Sequence, residues 1–273
     1  MSKFAAIQMG SGSQVSANLL AAEKLIAEAV RDGAEFVVLP ENFALMGKTE
    51  QDKLEIREKE GAGRLQTFLS EQARKHGVWL HGGTIPLASD DPGKVYATSL
   101  LFDANGRQVA RYDKIHLFDV HVVGSDERYT ESETIIRGDQ VVVADTPFGR
   151  VGMAVCYDLR FPELFRQMLD QGAEIILLPA AFTDITGRAH WEILLRARAI
   201  ENLCYIVAAA QGGYHVNGRA TYGHTMIVDP WGGIVAARDS TSCGVVVGDI
   251  KTEYLQTTRK QFPALEHRRL PAS

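Results

Sequence analysis

The stretch Gly33-Ala-Glu-Phe-Val-Val-Leu-Pro40-Glu-Asn-Phe43 recurs later in the chain as Gly172-Ala-Glu-Ile-Ile-Leu-Leu-Pro179-Ala-Ala-Phe182. Each copy begins with a glycine that can end a helix, continues as a short apolar run and closes at a proline. The runs Phe36–Leu39 and Ile175–Leu178 are continuous and not alternating, which is typical of strands covered on both faces. The chain is therefore predicted to consist of two similar halves.

A second pair of segments supports the two halves. Phe102-Asp-Ala-Asn-Gly106, which continues to Asp113, matches Val228-Asp-Pro-Trp-Gly232, which continues to Asp239. Both segments read as a strand, a tight turn with glycine and a second strand. The copies differ in chemistry, because Glu41 corresponds to Ala180 and Lys114 to Ser240. The shared residues are those of a scaffold, and the differing ones are candidates for function.

The rest of the chain alternates strand-like and helical patterns. Further strands are predicted at Val78–Ile85, Thr98–Phe102, Val151–Val155, Cys204–Ala210, Thr225–Val228 and Val245–Val247. Helices are predicted at Ala17–Arg31, Arg64–Lys75, Pro162–Leu169 and His190–Asn202. No linker rich in proline, glycine or serine interrupts the pattern, so residues 1–273 are expected to form a single α/β domain.

Composition excludes several classes of protein. The 273 residues carry a net charge of −5, whereas a protein that binds the nucleic-acid backbone normally has a basic excess. The sequence contains no run of 18 apolar residues, so no membrane-spanning helix is predicted. The cysteines are only three, Cys156, Cys204 and Cys243, which favours the reducing cytosol over a disulfide framework. Cys204 is predicted to lie in the core and Cys243 in an exposed loop.

Cys156 has the sequence context of a reactive thiol. It follows the apolar run Val151–Val155 and precedes Tyr157-Asp-Leu-Arg-Phe-Pro-Glu163, so it lies where a buried strand turns toward a helix. A thiol attacks as the thiolate and needs a base or a nearby positive charge. The alternative is a small buried side chain at a strand end.

Glu41 and Lys114 could supply that base and that charge. Glu41 directly follows the apolar run that ends at Pro40, where partial desolvation suits a general base. Lys114 lies in Arg111-Tyr-Asp-Lys-Ile-His-Leu-Phe-Asp119, among residues that favour strands. Taken alone, either side chain is more simply a solvated surface charge. The sequence contains no zinc, EF-hand, Walker or complete dinucleotide-binding motif, so neither a metal nor an organic cofactor is expected.

Three segments together resemble the nitrilase superfamily of carbon–nitrogen hydrolases. They are Leu39-Pro-Glu41, Tyr112-Asp-Lys114-Ile-His-Leu-Phe-Asp119 and Cys156-Tyr-Asp-Leu-Arg-Phe-Pro-Glu163, and the resemblance extends over nearly the whole chain. It implies a four-layer α-β-β-α sandwich with an internal pseudo-twofold repeat. It also implies that Cys156 is the nucleophile, Glu41 the base and Lys114 the catalytic lysine.

The resemblance implies further site residues. A second glutamate near the site maps to Glu131, with Glu133 as the alternative. The backbone amide of Tyr157 is expected to bind the oxyanion. The candidates for substrate binding are Arg160, Phe182, Thr183, Arg188, His190 and Arg219, of which the arginines would bind carboxylates. Residues Tyr214 to Arg219 are predicted to form a loop that lines the pocket.

The segment from Phe182 to Asn202 is most similar to the deaminated glutathione amidases. These hydrolyse an amide of 2-oxoglutarate with cysteinylglycine through a cysteine thioester. The alternatives are an ω-amidase acting on 2-oxoglutaramate-like monoamides of dicarboxylates and a catalytically idle binding protein. The expected partner is a small amide substrate, and binding to nucleic acid or to a membrane is not expected. The protein is expected to be cytoplasmic and to form a homodimer or a higher homo-oligomer.

Overall fold

The computed structural model describes residues 1–270, and strands alternate with helices along most of this length. The strands are β1 (Ser2–Gln8), β2 (Phe36–Val38), β3 (Trp79–His81), β4 (Ile85–Ala88), β5 (Val95–Phe102), β6 (Gln108–Asp113), β7 (Asp119–His121), β8 (Arg128–Thr130), β9 (Val143–Thr146), β10 (Gly149–Met153), β11 (Ile175–Ala180), β12 (Tyr205–Ala210), β13 (Gly212–Tyr214), β14 (Ala220–Tyr222), β15 (Met226–Val228), β16 (Ile234–Ala237) and β17 (Gly244–Ile250). The helices are α1 (Val15–Arg31), α2 (Asp52–Glu55), α3 (Arg64–His76), α4 (Pro162–Asp170), α5 (Asp184–Asn202) and α6 (Thr252–Gln261), with 3₁₀ turns at Glu131–Glu133 and Cys156–Arg160.

Two large sheets share one arrangement of parallel and antiparallel strands. The first has the order β17-β1-β2-β3-β5, with β4 and β6 both paired to β5, and the second has the order β9-β10-β11-β12-β15-β16. In each sheet three neighbouring parallel strands, β1-β2-β3 or β10-β11-β12, are flanked by antiparallel ones. The two copies of the repeat, β2 and β11, are the middle strands of these parallel triplets. This equivalence confirms the prediction of two similar halves.

The weaker repeat also folds alike in both halves. The β5–β6 and β15–β16 hairpins close with the same bonding pattern. In the first, the amide of Asp103 donates to Arg107 O at 2.9 Å, and in the second, the amide of Asp229 donates to Gly233 O at 2.8 Å. Gly106 and Gly232 both take positive φ, 78° and 82°, which glycine adopts without a steric penalty.

The sheets stack face to face with helices outside them. Along β1, Phe4 and Ala6 join the core that also contains β10, β11 and β12, whereas Ala5 and Ile7 pack with α1 and α3. Side chains of α4 and α5, such as Phe165 and Trp191, are buried against the second sheet. Because side chains alternate across a strand, the first sheet contributes side chains both to the core between the sheets and to the core under α1 and α3. The architecture is the expected four-layer α-β-β-α sandwich.

Most predicted bounds are met within three residues, and two elements differ by more. The strand expected at Val78–Ile85 is interrupted at Gly82 and Gly83, and φ at Gly83 is 57°. A Cβ at Gly83 would lie 2.0 Å from the carbonyl oxygen of Pro40, so glycine permits the close approach of this segment to the end of β2. Helix α5 begins at Asp184, not at His190, because the Thr183 hydroxyl accepts a hydrogen bond from Thr186 N and caps the helix.

The cysteines lie where the sequence places them. Cys204 is 1% exposed in the core, Cys243 is exposed, and all three thiols are free. Among the described residues, no helix combines the length and the apolar character needed to cross a bilayer.

Candidate active site

Glu41 is held at the carboxyl end of the first sheet by its backbone. Its carbonyl oxygen accepts a hydrogen bond from Gln211 Nε2 at 2.9 Å, and the amide of Asn42 donates to Thr84 Oγ1 at 2.8 Å. Asn42 takes a left-handed conformation with φ 55°, which turns the chain sharply after the strand. The Glu41 residue is 3% exposed, so its carboxylate is removed from solvent.

Lys114 reaches the same point from the end of β6. Its Nζ lies 2.9 Å from Glu41 Oε1 and 2.8 Å from Glu131 Oε1, and the lysine is 1% exposed. The second oxygen of Glu131 accepts a bond from the amide of Phe118 at 2.7 Å. Glu133 also lines the cavity but is exposed. The structure therefore brings Glu131, and not Glu133, into the ion-pair cluster.

Cys156 opens the 3₁₀ turn after β10 and has φ 49°. A non-glycine residue in this conformation costs about 1–3 kcal/mol, and such residues concentrate at functional sites. The residue is 6% exposed. The Glu41 carboxylate and the backbone amide of Ala181 both act on its thiol. Three separate segments thus place the predicted nucleophile, base and lysine in one cluster.

The electrostatics of the cluster keep the thiol protonated at rest. Burial, followed by the negative charge of Glu41, raises the pKa of the Cys156 thiol, although Lys114 opposes this shift. Burial disfavours the Lys114 ammonium, but Glu131 and Glu41 outweigh burial and raise the pKa of Lys114 well above its usual range. Burial likewise opposes ionisation of Glu131, and Lys114 overcomes it and lowers the pKa of that carboxyl. The cluster is therefore a charged lysine between carboxylates, beside a neutral thiol.

The cluster forms the floor of a cavity of about 250 Å³. The predicted residues Tyr157, Arg160, Phe182, Thr183 and Arg219 all line this cavity. Phe182 lies two residues after β11 and packs on Trp191, with ring centroids 4.9 Å apart. The role of the Tyr157 backbone amide as oxyanion donor stays a prediction.

Arg160 and Arg219 are half-buried cations without a carboxylate partner among residues 1–270. The Arg160 guanidinium lies 5.2 Å from the ring centroid of Phe182, and that of Arg219 lies 4.9 Å from the centroid of Tyr129. Arg219 also donates to Ala181 O, and its Nε is buried without a hydrogen-bond partner. Burial lowers the pKa of Arg160. Two desolvated guanidinium groups of this kind suit carboxylates of a ligand.

Two of the predicted substrate-binding residues lie outside the cavity wall. Arg188 is exposed on α5 and forms an ion pair with Asp184, Nε to Oδ2 at 2.8 Å. His190 is also exposed, and its Nδ1 lies 3.1 Å from an Arg160 nitrogen. The earlier start of α5 places both on its outer side, and their role in substrate binding stays a prediction. His190 contacts Arg160 from outside the cavity.

Several residues of the cavity wall were not predicted from the sequence. They come from the segment after Glu41, from the β7–β8 hairpin, from α5 and from the β13–β14 hairpin, and include Met46, Thr49, Lys53, Arg128, Tyr129, Thr186 and Asn217. The β13–β14 loop does line the pocket, as expected. The position of Tyr129 two residues before Glu131 was the available signal for the tyrosine.

The described residues contain no cluster of His, Cys, Asp and Glu side chains suited to a metal ion. The cavity instead brings together a thiol, a carboxylate and an ammonium, the groups that acid–base and nucleophilic chemistry uses.

Comparison with known proteins places the chain in context. The sequence model described as carbon-nitrogen hydrolase matches residues 3–260. A "Deaminated glutathione amidase" of Yersinia enterocolitica is 47% identical over 98% of this chain and 93% of its own length. The crystal structure of the Caenorhabditis elegans NitFhit protein superposes with a TM-score of 0.91 at 40% identity, over 98% of this chain and 65% of that one. The crystal structure of Saccharomyces cerevisiae Nit3, "a member of branch 10 of the nitrilase superfamily", superposes with a TM-score of 0.88 at 30% identity. The match covers 98% of this chain and 97% of that one.

Proposed function

The chain belongs to the carbon-nitrogen hydrolase family and is an amidase, and we propose that it hydrolyses deaminated glutathione through a thioester on Cys156. The convergence of Cys156, Glu41 and Lys114 at one cavity carries the proposal. These three side chains come from segments far apart in sequence, so their convergence requires the whole fold.

The first half of the reaction forms the thioester. Glu41 accepts the thiol proton while the Cys156 sulfur attacks the amide carbonyl carbon. The carbonyl oxygen becomes an oxyanion, which the Lys114 ammonium and the amide of Tyr157 stabilise. Glu41 then gives its proton to the leaving nitrogen, the C–N bond breaks and the amine departs.

The second half regenerates the enzyme. Glu41 removes a proton from water, and the resulting hydroxide attacks the thioester carbon. The C–S bond breaks, the carboxylic acid leaves and the proton returns to the Cys156 sulfur. Glu131 holds Lys114 through two contacts of 2.8 and 2.9 Å, so the ammonium keeps its place when Glu41 is neutralised.

The charge of the cavity wall supports a substrate with two carboxylates. Lys114 is paired with Glu41 and Glu131, and Lys53 is paired with Glu50 at 2.5 Å. Arg160 and Arg219 lack such partners within the described residues. Deaminated glutathione offers one carboxylate on its 2-oxo acid and one on its glycine, whereas 2-oxoglutaramate offers one only. The unpaired arginines therefore favour the larger substrate.

Measurement of the products tests the substrate. The purified protein is incubated with deaminated glutathione and, separately, with 2-oxoglutaramate, and free cysteinylglycine and ammonia are quantified. Release of cysteinylglycine with a higher kcat/KM supports the proposal. Faster release of ammonia from 2-oxoglutaramate would identify an ω-amidase, and no turnover of either compound would favour a binding protein.

We also propose that residues 1–273 act as one domain in a cytosolic homo-oligomer, a homodimer or larger. The pairing of β1 with β17 joins the two ends of the fold in one sheet, and residues 271–273 lie outside the described part. Three free thiols suit a reducing compartment. Trp231 and Phe262 expose 57% and 50% of their surface and form one apolar contact, which suits a subunit interface. Sedimentation analysis tests this, and a monomer at micromolar concentration would contradict it.

A further inference from the structure

Asp158 is a fully buried carboxylate that lies two residues after the proposed nucleophile. Its Oδ2 accepts hydrogen bonds from Tyr112 Oη at 2.6 Å and from the amide of Val155 at 2.8 Å. Its Oδ1 is bonded by the amide of His116 at 3.1 Å and lies 2.6 Å from His116 Nδ1. Asp158 is 0% exposed, and it takes no part in the chemical steps above.

The partners of Asp158 flank both reacting elements. Tyr112 and His116 stand two residues before and two residues after Lys114, and Val155 directly precedes Cys156. One carboxylate therefore connects the Lys114 segment to the Cys156 turn across the interface of the two halves. We propose that Asp158 is a positioning residue that holds the Cys156 thiol and the Lys114 ammonium in register for thioester formation. This role rests on the proposed use of Cys156 as the nucleophile.

The bonding pattern requires a carboxylate at this position. Both oxygens of Asp158 face donors, and an ionised carboxylate is a group that only accepts. Burial, and then the charge of Asp158, raises the pKa of Tyr112 well above its usual range, so the phenol remains a donor. The His116 ring stacks on Phe161, with centroids 3.7 Å apart, which orients its Nδ1 toward the carboxylate. An asparagine would direct its NH₂ group at one of these donors.

The positioning role predicts a loss of rate and not of substrate affinity. In D158N we expect kcat to fall by about 100-fold, the cost of a displacement near 1 Å between reacting groups, while KM stays within about threefold. The rate at which iodoacetamide alkylates Cys156, followed by mass spectrometry of the Cys156 peptide, should fall too. This second measurement needs no amide substrate, so it reports on Asp158 even if deaminated glutathione proves to be the wrong substrate.

Two further variants isolate the hydrogen bond of His116. H116A removes both the ring and the Nδ1 donor, whereas H116N removes the ring but keeps an amide donor in the place of Nδ1. We expect kcat to fall about tenfold in H116A, the equivalent of one hydrogen bond, and to recover at least in part in H116N. If D158N does not fold, as judged by near-UV circular dichroism, this pair and Y112F decide the question.

The matched control is D103N. Asp103 is also a buried aspartate, 6% exposed, and it accepts bonds from the amides of Asn105 and Arg107 in the β5–β6 turn, away from the cavity. It should lose stability without losing kcat. A folded D158N with wild-type kcat and alkylation rate would overturn the proposal. Equal loss of kcat in D103N, or no difference between H116A and H116N, would overturn it as well.

Discussion

Oε1 of Glu41 and Nζ of Lys114 are 2.9 Å apart, and their side chains are 4% and 1% exposed. The proposed base and the proposed oxyanion-binding cation are therefore in direct contact at rest. When Glu41 accepts the proton of Cys156, it loses its charge and no longer competes for the ammonium. Lys114 then directs its charge to the oxyanion that forms in the same step, while Glu131 keeps it in place.

Replacement of Cys156 by alanine should abolish turnover and preserve the fold. We expect C156A to lose at least about 10⁴-fold in kcat, because the covalent route disappears. C204A is the matched control, since Cys204 is equally buried but lies in the core. It should keep wild-type kcat and lose about 1 kcal/mol of unfolding free energy. Steady-state kinetics and urea unfolding measure both. Substantial activity in C156A would remove Cys156 from the mechanism.

Replacement of Lys114 by methionine should affect both rate and stability. Loss of the ammonium leaves Glu41 and Glu131 buried without their cation, so we expect a loss of about 3–5 kcal/mol in unfolding free energy. The loss of oxyanion stabilisation should lower kcat by about 100-fold or more. K75M removes the lysine of an exposed pair with Glu23 and should change neither quantity appreciably. A K114M enzyme with normal kcat would exclude Lys114 from oxyanion binding.

The pH profile of Cys156 alkylation should respond to Glu41. The negative charge of Glu41 contributes to the raised pKa of the thiol, after burial, so E41Q should lower that pKa. The midpoint of alkylation against pH is then expected to move to lower pH in E41Q, while amide turnover falls because the base is lost. An unchanged or higher midpoint would mean that the Glu41 charge does not act on the thiol.

Arg219 should determine affinity for the carboxylates of the substrate. R219Q removes an unpaired guanidinium from the cavity wall, and we expect KM for deaminated glutathione to rise about tenfold or more, as for loss of a charge-assisted bond. R188Q is the control, because Arg188 already pairs with Asp184 outside the cavity. Its KM should match that of the wild type. Equal KM values for R219Q and the wild type would exclude Arg219 from carboxylate binding.

The sequence predicted the two-sheet fold and the central residues of the site because both depend on local sequence patterns. The repeated Gly-to-Pro segments became β2 and β11, since a continuous apolar run flanked by glycine and proline has few other buried conformations. Glu41 and Cys156 directly follow such runs, so the ends of strands fix their positions.

The wall of the cavity was harder to predict because loops from both halves build it. Thr186, Asn217 and Tyr129 reach the cavity only through tertiary packing, which local patterns do not encode. The position of Arg188 was equally hard to foresee, because α5 begins at the Thr183 cap and this arginine pairs with Asp184 outside the cavity. The bonds of Asp158 likewise join segments more than forty residues apart.

Rapid-quench mass spectrometry of the enzyme during turnover of deaminated glutathione tests the central claim most directly. The thioester mechanism predicts a transient increase in protein mass equal to the 2-oxoglutaryl group, located on the peptide that contains Cys156 and absent in C156A. Turnover that proceeds with no adduct at any quench time, even in variants slowed at thioester hydrolysis, or an adduct on another residue, would contradict it.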